Sequence, residues 1–166
     1  MRTIKTDRLV LRPFKEEDLD AYCLMTTDSE VMNFLGGTLN REDTWRQMAM
    51  YIGHWHLRGY GLWAVEEKAS GDFIGRLGLL NPEGWPGLEV GWAIARSRWG
   101  KGFATEGAKA ALDYAFSVVG AEHVISIIEP HNQRSIKVAE RIGERFERSM
   151  VFRGREVSIY GITKLR

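Results

Sequence analysis

The chain is poor in features that would place it outside ordinary globular proteins. It has one cysteine, Cys23, in 166 residues. An internal disulfide is excluded, and a reducing, cytoplasmic compartment is expected. Cys23 sits in the apolar pattern of a helix, where a buried, inert thiol is expected. Neither sign of charge is in excess: 23 Lys and Arg against 22 Asp and Glu leave a net +1. No global field draws such a chain to nucleic acid or to an anionic membrane. No apolar run approaches a membrane span, because charges and glycines break each candidate. The opening MRTIKTDRLVLRPF has no uninterrupted apolar segment of signal-peptide type. Repeats, low-complexity tracts and linkers are absent too, so residues 1–166 read as one domain.

What is present is a regular succession of elements. Leu9 to Phe14 reads as a strand, then Glu16 to Met25 and Ser29 to Leu35 as short helices. A longer helix follows, capped by Thr38 or Asn40 and running to about Leu57. Leu62 to Glu67 and Phe73 to Leu80 form a hairpin across Ala69 to Asp72. Leu88 to Ala95 is a strand, about Phe103 to Val118 a helix, and His123 to Glu129 a strand. Asn132 to Ile142 is a helix, and about Arg145 to Phe152 and Glu156 to Ile162 close the chain as a second hairpin. The strand–helix–strand unit implies a right-handed crossover and two parallel strands. The expected fold is α/β (α+β): a mixed, mostly antiparallel sheet of about seven strands with helices on both faces.

The stretch Trp99-Gly100-Lys101-Gly102-Phe103-Ala104-Thr105 joins a strand to a helix. Ala104, Ala108, Ala111, Leu112, Ala115 and Val119 share one helix face, while Glu106, Lys109, Asp113 and Ser117 share the other. The first N–H groups of such a helix lack partners and carry the positive end of its dipole. Gly100 and Gly102 remove Cβ atoms there, so an anion could touch several N–H groups at once. A tight strand-to-helix turn explains a lone Gly-x-Gly equally well. No Walker loop is present, and Thr105 replaces the third glycine of a dinucleotide fingerprint.

Leu88-Glu89-Val90-Gly91-Trp92-Ala93-Ile94 alternates strictly. Glu89 shares its face with Gly91 and Ala93, an acid beside two tiny residues. That implies a space, and partial burial would raise the carboxyl towards the range of a general base. At the next strand–helix junction Asn132 is a good N-cap and Ser135 falls one turn later. Both junctions put a helix N-terminus at the carboxyl end of a strand, where open α/β sheets bind ligands. His54 and His56, two apart on a helix, point to different faces, so no metal site is expected. Trp45, Tyr51, Trp55 and Trp63 read as core or pocket lining.

In this order the chain resembles the GNAT superfamily of acetyl-CoA-dependent N-acetyltransferases. The likeness is nearest to the branch containing ribosomal-protein N-terminal acetyltransferases. It rests on Trp99-Gly100-Lys101-Gly102-Phe103-Ala104, on Asn132-x-x-Ser135 ahead of Gly143, and on the RLVLRPF and ATEG runs. Trp99 stands where many members have Gln or Arg; it either covers the cofactor or packs beneath the loop. The resemblance implies acetyl-CoA as co-substrate, with its pyrophosphate on Gly100, Lys101, Gly102, Phe103, Ala104 and Thr105 and charge from Arg98 nearby. The pantetheine arm would lie along Trp92, Ala93 and Ile94, and Asn132 and Ser135 would complete the cleft.

The same resemblance implies direct acetyl transfer to a primary amine, either a protein N-terminus or a small molecule. Glu89 is the first choice of base, Glu156 the second and His131 the third; Ser135 is the hydroxyl placed to help the departing thiolate. Acceptor choice is expected from Asp28-Ser29-Glu30, Gly36-Gly37 and Glu83 to Pro86. The terminal hairpin offers an edge through which two copies could pair. Two other classes remain open at this point: a non-catalytic acyl-CoA-binding regulatory module, and a protein that binds another nucleotide.

Overall fold

The computed structural model describes residues 2–164. Its strands are β1 (Ile4–Lys5), β2 (Leu9–Arg12), β3 (Leu62–Glu67), β4 (Phe73–Leu80), β5 (Glu89–Ile94), β6 (His123–Ile128), β7 (Arg145–Phe152) and β8 (Arg155–Thr163). Its helices are α1 (Leu19–Thr26), α2 (Ser29–Met32), α3 (Arg41–Arg58), α4 (Phe103–Tyr114) and α5 (Gln133–Ile142). The α3 helix starts where Asn40 Oδ1 accepts from the Asp43 N–H at 2.9 Å, a side-chain cap for an otherwise orphaned donor. Among the described residues no helix is long and apolar enough to cross a membrane.

The eight strands form one sheet in the order β1-β2-β3-β4-β5-β6-β8-β7. Only β5 and β6 run parallel, as the crossover through α4 requires. The eighth strand, beyond the seven expected, is the two-residue β1 paired with β2. The first predicted strand stops at Arg12 rather than Phe14, because Pro13 has no N–H to give a ladder. Phe14 turns instead into a core with Tyr22, Tyr51 and Phe73. The turn Glu16–Asp18 is a 3-10 turn rather than the start of α1. Asp18 holds it, accepting from the Lys15 N–H and from Arg12, each at 2.8 Å.

Strand alternation sorts apolar side chains to two faces. Leu9, Leu11, Trp63, Val65, Leu77 and Val90 meet Ala108, Ala111 and Leu112 of α4 and Ile142 of α5 on one face. Tyr22, Met25, Met48, Tyr51, Ala64, Leu80 and Ala93 fill the other, under α1 to α3. Each fully buried large apolar side chain contributes on the order of 1.5–3 kcal/mol. The α4 helix sits close because its inner residues are small. A Cβ added at Gly107 would meet Leu77 Cδ1 at 2.8 Å, so Gly107→Val would push α4 off the sheet.

Candidate functional site

The site is built where β5 and β6 part. Their parallel pairing amounts to one register, Glu89 opposite Ile125, with the Ile125 N–H donating to Leu88 O at 2.8 Å. One step further on, a side chain replaces the backbone: Ser126 Oγ donates to Val90 O at 2.8 Å. Beyond that the strands diverge. The Ala95 N–H donates back to Ile74 O on β4, so alternation turns the Trp92 and Ile94 backbone groups towards the gap. Ile94 O is met there by the Trp99 indole N–H at 2.7 Å.

A cleft of about 570 Å³ opens on the α4 side of this gap, a size suited to a cofactor. Trp92, Ala93, Ile94, Trp99, Gly100, Gly102, Phe103, Ala104 and Thr105 line it, and so do Asn132 and Ser135. The first helical bond of α4 runs from the Glu106 N–H to Gly102 O at 3.0 Å. The N–H groups of Phe103, Ala104 and Thr105 precede it and stay open to a ligand. Gly100 and Gly102 have φ of +76° and +83°, values that only glycine adopts without strain. A Cβ at Gly102 would lie 3.5 Å from Arg8 Nη2, behind the loop. The glycine there serves backbone conformation.

The role of Arg8 is one that sequence reasoning missed. Its Nη1 donates to Lys101 O at 2.9 Å and its Nε to Glu106 Oε2 at 2.7 Å. Glu106 also accepts from Thr6 Oγ1 at 2.6 Å and from the Arg8 N–H at 2.9 Å. Burial pushes the Glu106 carboxyl up, but these donors outweigh it and hold it below the usual range. Glu106 therefore anchors the loop to the turn between β1 and β2 rather than lying on a solvated face. Lys101 is exposed and outside the cleft lining. Arg98 lines the cleft, but its Nε is paired with Glu67 at 2.8 Å and its Nη2 with Asp72 at 3.0 Å.

The opposite wall carries the charge. Arg134, Lys137 and Arg141 of α5 line the cleft at spacings that share one helix face. The Arg134 guanidinium lies 4.2 Å from the centre of the Trp99 ring. Trp99 is half-buried, tied to Ile94 and touching both cores. It packs beneath the loop and holds a cation over the cleft. The residue spacing held the α5 signal, hidden because alternating charges on a helix usually mean a solvated face.

A second cavity lies on the other side of Trp92. Glu89, Gly91, Arg76, Tyr51, Trp85 and Gln47 are among its lining residues. Trp92, Asn132 and Ser135 line both cavities, so the two meet there. Asn132 caps α5, its Oδ1 accepting from the Ser135 N–H at 3.2 Å. A Cβ at Gly91 would meet only Glu89, at 3.6 Å from Oε1, so the expected space beside the acid is present. Glu89 Oε2 accepts from the Trp85 indole N–H at 2.7 Å. Burial pushes the Glu89 carboxyl above its ordinary range, against the Trp85 bond, the Arg76 charge and the Ile127 backbone.

The structure brings Glu89 and Ser135 together but not Glu156. Glu156 is exposed on β8, opposite Val151, and outside both cavities. His131 is exposed and lines the first cavity. Trp45 is 48% exposed and lines neither cavity, whereas Tyr51 lines the second cavity and Trp55 and Trp63 are buried in the core. Cys23 is half-buried, with Arg41 Nη1 at 4.0 Å. His54 is a staple: its Nε2 accepts from the Asn81 N–H at 3.1 Å while Nδ1 meets Tyr60 O at 2.8 Å. No metal-binding cluster occurs among the described residues. Of the segments expected to meet an acceptor, Trp85 lines the second cavity and Glu30 the first, whereas Asp28 pairs with Arg96 at 2.9 Å.

Comparison with known proteins gives one consistent result. A family model described as an acetyltransferase (GNAT) domain matches residues 8–145. The chain is 32% identical over 163 residues to the protein YkkB of Bacillus subtilis (strain 168), covering 93% of this chain and 92% of that one. Among solved structures, an acetyltransferase from Agrobacterium tumefaciens superposes with a TM-score of 0.90 at 28% identity, over 99% of this chain and 95% of that one. RimL, a ribosomal α-N-protein acetyltransferase solved with coenzyme A, shares the fold with a TM-score of 0.81 at 19% identity, over 98% of each chain.

Proposed function

Because the chain belongs to the acetyltransferase (GNAT) domain family, we propose that it transfers an acetyl group from acetyl-CoA directly to a primary amine. Acetyl-CoA is the donor of this family. The observation that carries the proposal is the junction of two cavities at Trp92, Asn132 and Ser135. One offers open helix N–H groups and the other a half-buried carboxylate.

The donor's pyrophosphate fits the N-terminus of α4, where unpaired N–H groups and the helix dipole favour anions. Arg134, Lys137 and Arg141 supply the charge that Lys101 and Arg98 do not. The pantetheine arm takes the place of a strand beside Trp92, using the backbone groups that β6 abandons. This directs the thioester to the junction. A backbone N–H in the gap can polarise its carbonyl, which stabilises the developing oxyanion.

The amine enters from the second cavity. An ammonium has no lone pair, so Glu89 must first accept its proton, directly or through one water. The neutral nitrogen then attacks the carbonyl carbon. A C–N bond forms, the C–S bond breaks, the sulfur leaves with the electron pair, and the proton shed by the acetylated nitrogen completes the released thiol. Ser135 can hydrogen-bond the departing thiolate. The place of Glu89 inside the acceptor cavity supports catalysis over a binding-only module, and the family match supports acetyl-CoA over another nucleotide. The same reading takes the protein to act in the cytoplasm, with no nucleic-acid partner. A second copy would pair along β7, an edge strand with Phe146 and Val151 exposed.

The test is a screen for thiol release from acetyl-CoA against primary amines, including peptides with free N-termini, with each product identified by mass. Amine-dependent release of thiol with an acetylated product is expected. Release independent of amine, or none with any acceptor, would remove the proposal.

A further inference from the structure

Arg76 is the odd cation of the fold. It lies on β4 opposite Ala93 of β5 and is 8% exposed. Arg12, the other deeply placed arginine, holds Asp18 at 2.8 Å and Glu66 at 2.7 Å. Arg76 differs. Among the described residues no carboxylate lies within 4.0 Å of its guanidinium. Its neighbours are the Tyr51 ring, 5.3 Å from the guanidinium carbon, and the Tyr22 hydroxyl. A cation–π contact offsets only part of the cost of burying a charge. A guanidinium cannot escape that cost by losing its proton.

Arg76 lines the acceptor cavity together with Glu89. Ala93 and Glu89 share one face of β5 about 13 Å apart along the strand, so the two side chains flank the hollow at Gly91. The other charges of this cavity are differently placed. Glu129 is paired with Arg155 at 2.6 Å, and the exposed Arg153 stacks 4.5 Å from the centre of the Trp85 ring. What remains inside is one acid and one base on a common floor, the complement of a small zwitterion. A planar guanidinium binds a carboxylate through two parallel hydrogen bonds.

We propose that the acceptor is a free amino acid, whose carboxylate pairs with Arg76 while its amino group faces Glu89. This deepens the acetyl-transfer reading and rests on it. Arg76 is then the specificity-determining residue of the acceptor site. Its unpaired burial is the cost of recognising an anion that arrives with the substrate.

The experiment compares matched acceptors: leucine, leucinamide and isoamylamine, with a peptide amide beginning with Asp as a fourth. In wild-type protein kcat/KM for leucine should exceed that for the two neutral partners by about 10²-fold, the range of a charged hydrogen-bonded pair. In Arg76→Met the three should become equal within about fivefold, and the variant should melt at or above the wild-type temperature, because an unpaired buried charge is gone. If Arg76→Met does not fold, Arg76→Lys, which keeps the charge but loses the fork, should narrow the preference for leucine. Three results overturn the proposal: equal use of the neutral amines by wild type, preference for the Asp-led peptide over free amino acids, and an equal loss for all acceptors in the variant. A second readout is independent of turnover. Leucine with CoA present should raise the melting temperature of wild type but not of Arg76→Met. If no amine is acetylated yet this shift appears, the transfer reading fails and the carboxylate site stands; if the shift is absent, the carboxylate site fails.

Discussion

The indole N–H of Trp85 donates to Glu89 Oε2 at 2.7 Å, joining the loop after β4 to the first residue of β5. The bond fixes one carboxylate oxygen, while the other lies beside Gly91, where a Cβ would be 3.6 Å from it. Burial raises this acid above the ordinary carboxylate range, which makes it a better proton acceptor. Glu89→Gln keeps the shape and removes the base. It should lower kcat by about 10²- to 10⁴-fold while leaving the stabilisation by acetyl-CoA unchanged. Because burial raises the carboxyl, wild-type activity should rise with pH through a limb above the ordinary carboxylate range, and this limb should vanish in the variant. Unchanged turnover would place the base elsewhere.

The loop before α4 gives a prediction about backbone shape. Gly102 has φ of +83°, which costs an ordinary side chain about 1–2 kcal/mol. Gly102→Val should lower the melting temperature of the protein alone. By turning the N–H groups of Phe103 to Thr105, it should also abolish the rise in melting temperature caused by acetyl-CoA. A full rise in the variant would show that the loop is only a turn.

The cations of α5 make a separate prediction. Arg134→Ala, Lys137→Ala and Arg141→Ala should each raise KM for acetyl-CoA by roughly 10-fold, as loss of a charged hydrogen bond does. They should leave kcat nearly unchanged, because uniform binding is lost. Added salt should raise KM in wild type and do so less in the triple variant. A kcat effect without a KM effect would remove these residues from the phosphate wall.

Much of this was legible in the sequence. The strict alternation from Leu88 to Ile94 located the strand, the face of Glu89 and the hollow at Gly91. Asn132 and Gly100-Lys101-Gly102 located both helix starts. Arg8 opens the RLVLRPF run, but its role was not legible, because its partners Glu106 and Lys101 are distant in sequence. Arg76 was hidden for a different reason. Leu77, Leu79 and Leu80 make its strand read as a core strand, and only the packed structure shows that no acid meets it. Glu156 was over-read: its strand is right, but its face of the hairpin is turned to solvent.

Glu144 also escaped the sequence. It is fully buried, and neither carboxylate oxygen has a partner among the described residues. Burial pushes its carboxyl up to about 8, helped by Glu89 and Glu147 and opposed by the nearby Ser126 hydroxyl. The folded protein therefore holds a proton that the unfolded chain releases near pH 4.5. The stabilisation is complete below that pH and is lost as pH rises towards about 8, by up to about 1.4 kcal/mol per pH unit. Glu144→Gln should flatten this decline in urea melts between pH 5 and 9. An unaltered slope would assign the decline to other groups.

The most direct test of transfer across the shared junction is an initial-rate study with acetyl-CoA and an accepted amine varied in a crossed series, together with the intact mass of the protein after mixing with acetyl-CoA alone. Direct attack in a ternary complex predicts intersecting double-reciprocal lines and no acetyl group on the protein. Parallel lines with an acetylated, kinetically competent protein would contradict it, since that is the signature of a covalent intermediate.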